Sequence, residues 1–130
     1  MYRLLSLVLV LSTLGACAQT SESGVRTDLD VNEVSQLMQD GKEIVLIDVR
    51  TPQEYEQGHL EGAELMNIYD ADFESRMNEL DKEKEYVVYC RSGGRSGKAA
   101  AKMEKLGFKN IHNMKGGILA WNRAGLETKK

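Results

Sequence analysis

The segment Cys90-Arg91-Ser92-Gly93-Gly94-Arg95-Ser96 carries the side chains and the spacing best suited to chemistry in this chain. It lies between a β-prone run, Tyr86-Val87-Val88-Tyr89, and a stretch rich in Ala and Lys. Two adjacent glycines let the backbone curl with its amides facing inward. Successive inward amides form a nest that binds anions, and the start of the following helix adds free N–H groups and a positive end. A thiol with an ordinary pKa of about 8.5 is mostly protonated at neutral pH. The nest, the helix end and the charges of Arg91 and Arg95 predict a downward shift for Cys90. The same surroundings favour a persulfide anion. The pattern points to a nucleophilic cysteine rather than a buried cysteine acting as a small hydrophobe.

The elements around this segment alternate between helix and strand. Asp30 and Glu33 have capping-box spacing ahead of Val31, Val34, Leu37 and Met38, with Gly41 as the stop. Ile44-Val45-Leu46-Ile47 is a continuous apolar run of the kind found in strands buried on both faces. Thr51 and Glu54 frame a second helix start with Pro52 at its first position, and that helix should end near Gly58. A short strand is expected within 62–68 and a helix over 70–80. After the Cys loop, the spacing predicts a helix over 96–106 and a strand over 110–114. A last helix is expected from Gly116-Gly117 through Trp121, stopping at Gly125. Strands alternating with helices predict an α/β, doubly wound domain, with a central, mostly parallel five-stranded sheet and helices on both faces. Ligands bind such sheets at the carboxyl ends of the strands, which is where Cys90 falls.

At 130 residues, with 42% hydrophobic and 28% charged residues, the chain has the composition of one soluble globular domain plus a short appendage. A formal net charge of −3 gives no reason to expect nucleic acid as a partner. The chain begins with Met1-Tyr2-Arg3 and an apolar run from Leu4 to Leu14. That run is too short for a bilayer-spanning helix, which needs roughly 20 residues, and it fits the core of a secretory signal. Leu14-Gly15-Ala16-Cys17 resembles a bacterial lipobox. Residues 1–16 are therefore expected to be a lipoprotein-type signal peptide. Residues 17–27 are read as a lipidated Cys17 and a flexible tether, and 28–130 as the folded domain. Ala18, in place of an Asp after the cysteine, favours the periplasmic face of an outer membrane. The alternative is a soluble periplasmic or cell-surface protein cut near Ala16 or Ala18. With Cys17 lipidated, Cys90 is an unpaired thiol in an oxidising compartment, which is unusual unless its chemistry is wanted.

Four segments in order resemble the rhodanese family. They are Asp48-Val49-Arg50-Thr51-Pro52-Gln53-Glu54-Tyr55, Gly58-His59-Leu60-Glu61-Gly62-Ala63, the Cys90–Ser96 loop, and Gly116-Gly117-Ile118-Leu119-Ala120-Trp121. The resemblance covers about residues 28 to 127. It departs at Leu60, where Ile is commoner, and at Tyr69, where a Pro often follows the Asn-Ile pair. The resemblance implies a rhodanese-like fold and a thiosulfate sulfurtransferase-like activity. Cys90 would take sulfane sulfur from a small donor such as thiosulfate and hold it as a persulfide. A thiol or cyanide, or a thioredoxin-like protein, would remove it. Arg91 would dock an anionic donor, and the amides of Ser92, Gly93, Gly94, Arg95 and Ser96 would hold the anion. Arg95 would fix the loop by reaching back to a carboxylate, Glu54 or Asp48. Asp48, Arg50 and Glu54 are thus expected to support the loop. No cofactor or metal is required, and the membrane is engaged only through the N-terminal lipid.

Simpler readings stand for other residues. His59 is expected to be a loop imidazole bonded to backbone, His112 a strand residue and Trp121 core. Lys98, Lys102 and Lys105 form a solvated helix face that could attract anions weakly. Two rival functions remain. One is a Cys-dependent phosphatase or arsenate reductase, whose loop places five residues between Cys and Arg, against four here. The other is a persulfide relay or binding module acting on a protein partner.

Overall fold

The computed structural model describes residues 24–130. The signal peptide expected over 1–16 and the lipidation expected at Cys17 lie outside these residues. Five strands form a single sheet: β1 (Val25–Leu29), β2 (Ile44–Asp48), β3 (Glu64–Leu65), β4 (Glu85–Tyr89) and β5 (Asn110–Met114). Their order is β1-β5-β4-β2-β3, and every pairing is parallel. The helices are α1 (Val31–Gln39), α2 (Pro52–Glu56), α3 (Phe73–Asn78), α4 (Gly94–Lys105) and α5 (Gly117–Arg123).

Alternation along the central strands sorts the core into two layers. Tyr86, Val88 and Cys90 pack with Phe73 and Met77 of α3 and with Ala99, Ala100 and Met103 of α4. Val87 and Tyr89 face the other way, onto Val31 and Val34 of α1 and Ile118 and Trp121 of α5. Helices on both faces are what buried, continuously apolar strands require. Both expected capping boxes form, Asp30 with Glu33 and Thr51 with Glu54.

The folded domain begins earlier than residue 28. Residues 25–27, read as tether, belong to β1, whose Val25 pairs with Asn110 of β5. β1 is an edge strand of sequence VRTDL with four of its five residues exposed, so it lacks an apolar run to announce it. The strand expected within 62–68 shrinks to two residues, because only Glu64 and Leu65 reach the β2 edge. α4 starts at Gly94, two residues before the expected Ser96, and so takes in the end of the Cys loop.

Candidate functional site

Cys90 follows the last residue of β4, at the carboxyl end of a central strand. It is 1% exposed. The Gly93 amide donates to its Sγ at 3.1 Å, and the Ser96 hydroxyl lies 3.4 Å from it. Burial is the largest single influence on this thiol and pushes its pKa up. The Ser96 hydroxyl and the backbone amides of Ser96, Gly93 and Ser92 together outweigh burial, so the thiol sits below its ordinary value. The expected direction is therefore present, against a burial that the sequence does not reveal.

The loop owes this shape to one glycine, not two. Gly93 has φ +105°, in the left-handed region that glycine enters without a Cβ clash, whereas Gly94 is helical and a Cβ there would meet open space. The loop's carbonyls are held from outside. Ile118 N–H donates to the Cys90 carbonyl at 2.9 Å and Leu119 N–H to the Arg91 carbonyl at 3.1 Å. These are the first free amides of α5. The approach is so close that a Cβ on Gly117 would lie 2.4 Å from the Arg91 carbonyl oxygen. The Gly116-Gly117 pair is thus part of the site.

Arg95 reaches back to Glu54 in a two-pronged ion pair, at 2.8 and 2.7 Å. Arg95 holds the Glu54 carboxyl down at about 2, with burial opposing and Thr51 assisting. Glu54 raises the Arg95 pKa in return. Of the three residues expected to support the loop, Glu54 touches it directly. Asp48 and Arg50 act one step away, because they are spent on each other. Arg50 Nε and Nη2 bond Asp48 at 2.6–3.1 Å, and Nη2 also donates to the Gly58 carbonyl at 2.8 Å. Both are buried beneath the site. Burial works against the Arg50 cation, but Asp48 outweighs it and raises the pKa. Tyr89 stacks its ring under this guanidinium at 5.6 Å. Burial, then Asp48, raises the Tyr89 pKa.

Arg91 and Ser92 are exposed at the mouth. Arg91 lines a cleft of about 220 Å³ together with Arg50, Gln57, Leu119, Asn122 and Thr128. Cys90 itself is not among the residues that line it. His59 bonds the Tyr55 carbonyl at 3.1 Å and stacks on the Tyr55 ring, and Trp121 is buried with its indole N–H on the Glu127 carbonyl. His112 bridges Thr27 and Glu85 across the sheet. Lys102 of the lysine row pairs with Glu74 of α3.

Two residues of this neighbourhood escaped the sequence reading. Asn113 of β5 is buried beside Ser96, and Asp28 of β1 holds the Asn113 amide. The signal for Asn113 is a polar residue interrupting a short β-run at a strand's carboxyl end. Asp28 gave no signal, because it lies at the start of the expected domain on a strand whose first three residues look like tether.

The sequence matches the family model for the rhodanese-like domain over residues 30–124. It is 37% identical over 99 residues to a sulfurtransferase of Allochromatium vinosum, covering 76% of this chain and 91% of that protein. A rhodanese-like domain protein from Staphylococcus aureus superposes with a TM-score of 0.69 at 28% identity, covering 80% of this chain and 99% of that one. The polysulfide-sulfur transferase homodimer from Wolinella succinogenes gives 0.68 at 30% identity, over 80% of this chain and 78% of that one. A parallel sheet that ends in a cysteine facing peptide amides, and a family match over most of the folded residues, lead to one assignment: this chain belongs to the rhodanese-like family and is a sulfurtransferase.

Proposed function

We propose that the chain moves sulfane sulfur from an anionic donor such as thiosulfate to a thiophilic acceptor through a Cys90 persulfide. The observation that carries this reading is the donor set on one buried sulfur, the Gly93 amide at 3.1 Å and the Ser96 hydroxyl at 3.4 Å. In the first half-reaction the Cys90 thiolate attacks the outer sulfur of thiosulfate. A new S–S bond forms, the old one breaks, and sulfite leaves with the bonding pair. The persulfide keeps one negative charge, which the amides that stabilised the thiolate continue to hold. Cyanide or a thiolate then attacks the outer sulfur and releases the Cys90 thiolate. Arg91, exposed beside the loop, offers a positive charge to an incoming anion. The Wolinella polysulfide-sulfur transferase, similar in fold, supports sulfane sulfur as the substrate class.

A relay to a protein thiol is the second reading. It is favoured by Cys90 being the only free cysteine among the described residues, which leaves resolution of the persulfide to a partner. We further propose export and lipid anchoring at Cys17, on the strength of the apolar run and the Leu14-Gly15-Ala16-Cys17 sequence.

Intact-mass measurement after thiosulfate treatment tests the central step. A gain of one sulfur mapped to Cys90, absent in Cys90→Ser, is expected. No gain from thiosulfate or polysulfide refutes the persulfide reading. Turnover with thiosulfate and cyanide separates the small-acceptor enzyme from the relay, which would load sulfur yet deliver it only to a protein thiol.

A further inference from the structure

A chain of polar groups runs from Cys90 across α4 and β5 to the sheet edge. Ser96 Oγ lies 3.4 Å from Cys90 Sγ and 2.6 Å from Asn113 Oδ1. Asn113 Nδ2 donates to Asp28 Oδ1 at 3.1 Å. Asp28 and Asn113 are direct register partners on neighbouring strands, so their side chains share the α4 face. Ser96 and Cys90 are buried to within 1% of complete, and Asn113 is 8% exposed.

The hydroxyl of Ser96 has one proton and two neighbours that can accept it, the sulfur and the Asn113 carbonyl. The Asn113 amide decides between them, and Asp28 decides the amide. A carboxylate only accepts, so Asn113 must turn its NH2 towards Asp28 and its carbonyl towards Ser96. The hydroxyl then divides its proton between the two acceptors, and the shorter contact, to Asn113, takes the larger share. We propose that Asp28 is a positioning residue for sulfur transfer, acting through Asn113 to draw the Ser96 proton away from Cys90 and so limit how firmly the sulfur anion is held. The proposal rests on Cys90 being the sulfur carrier.

The restraint has a chemical purpose. A thiolate loses nucleophilicity as its pKa falls, while a lower-pKa thiolate leaves faster. A sulfur held too firmly attacks the donor poorly. Asp28 thus balances loading against release. Two other charged groups near this chain are already paired, while Arg91 and Lys98 are exposed to solvent. Arg95 of α4, which feels the Cys90 charge, is clamped by Glu54, and Arg26 of β1, which lies on the same face as Asp28, binds Glu104 of α4.

Asp28→Asn in the full chain is the test. The isosteric amide can donate to the Asn113 carbonyl, which lets Asn113 turn over and donate to Ser96 Oγ. The Ser96 proton is then free for the sulfur, and every group in the chain remains paired. Bringing this hydrogen bond to full strength on the anion corresponds to a rise in thiolate fraction of up to about three- to tenfold at a pH below the thiol pKa. Ultraviolet titration of the resting thiolate reads this without any sulfur donor, so it stands or falls separately from the transfer activity. Pre-steady-state kinetics should show slower attack on thiosulfate per thiolate and faster release to cyanide. The decisive comparison is Asp28→Asn in a Ser96→Ala background. Loss of the titration shift there is expected. A shift of equal size with and without the Ser96 hydroxyl means that Asp28 acts by its charge alone and overturns the proposal, as does no shift at all. Asn113→Ala, which removes the competing carbonyl, should lower the thiol pKa in the same direction. Should Asp28→Asn not fold, that variant decides the question, and an unchanged or raised pKa there overturns the proposal.

Discussion

Replacing Glu54 by Gln removes the charge that holds Arg95 yet keeps the shape of the side chain. Gln also serves at the third position of a capping box, so the α2 start survives and the change isolates the ion pair. The Glu54 carboxyl lies at about 2 against its ordinary 4.5. At about 1.4 kcal/mol per pKa unit this is about 3 kcal/mol in favour of the ionised, clamped form. The two side chains are 22% and 27% exposed, so solvent screens part of it and about 1–2 kcal/mol remains as stability. For a domain of this size that is a fall in Tm of roughly 5–15 °C at pH 7. The pH dependence carries the sharper prediction. A carboxylate whose folded pKa is depressed contributes fully above its unfolded pKa, and the contribution disappears as pH falls through the folded one. The wild-type advantage should therefore be complete above about pH 5 and shrink between 4.5 and 2. Thermal melts of both proteins from pH 7 to the acid limit of reversibility measure it. A constant Tm difference across that range, or none at pH 7, would refute the assignment of the loop's anchorage to this ion pair.

The two loop glycines should separate cleanly in the same melts. Gly93→Ala forces a side chain into the left-handed region and should cost about 1–2 kcal/mol, whereas Gly94→Ala enters open space at a helix start and should stabilise by about 0.4–1 kcal/mol. Asp48→Ala strands the Arg50 guanidinium in a buried site, so denaturant unfolding should show a loss of about 3–5 kcal/mol. A loss under 1 kcal/mol would mean that water reaches Arg50 freely.

What the sequence made legible follows burial. Ile44–Ile47 and Tyr86–Tyr89 are continuous apolar runs because both faces of β2 and β4 are covered, and they read directly as strands. β5 and the capped helices α1 and α2 were equally visible, since a cap is a local device written in four adjacent residues. β1 was not, because an exposed edge strand looks like a polar linker. The Cys loop followed from charge and spacing, while the clamp on Arg95 was implied by the resemblance with Glu54 and Asp48 both open, and the fold places Glu54 there. The loop's dependence on Asn113 and Asp28 was not legible, since those two residues are 85 positions apart and meet only when β1 pairs with β5. The degree of burial of Cys90 was also hidden, because it depends on α3, α4 and β4 packing together.

The tie between α5 and the Cys90 and Arg91 carbonyls has a consequence for biosynthesis. The helix that braces the Cys90 loop is the last one among the described residues, and it starts at Gly117, well after Cys90 in the chain. A polypeptide still emerging from the ribosome carries Cys90 without that brace. The Cys90 and Arg91 carbonyls then lack their α5 partners, and the loop is held from one side fewer. On the proposed role of Cys90, completion of the loop waits for the C-terminal segment to dock, so maturation would itself act as a safety catch on this cysteine.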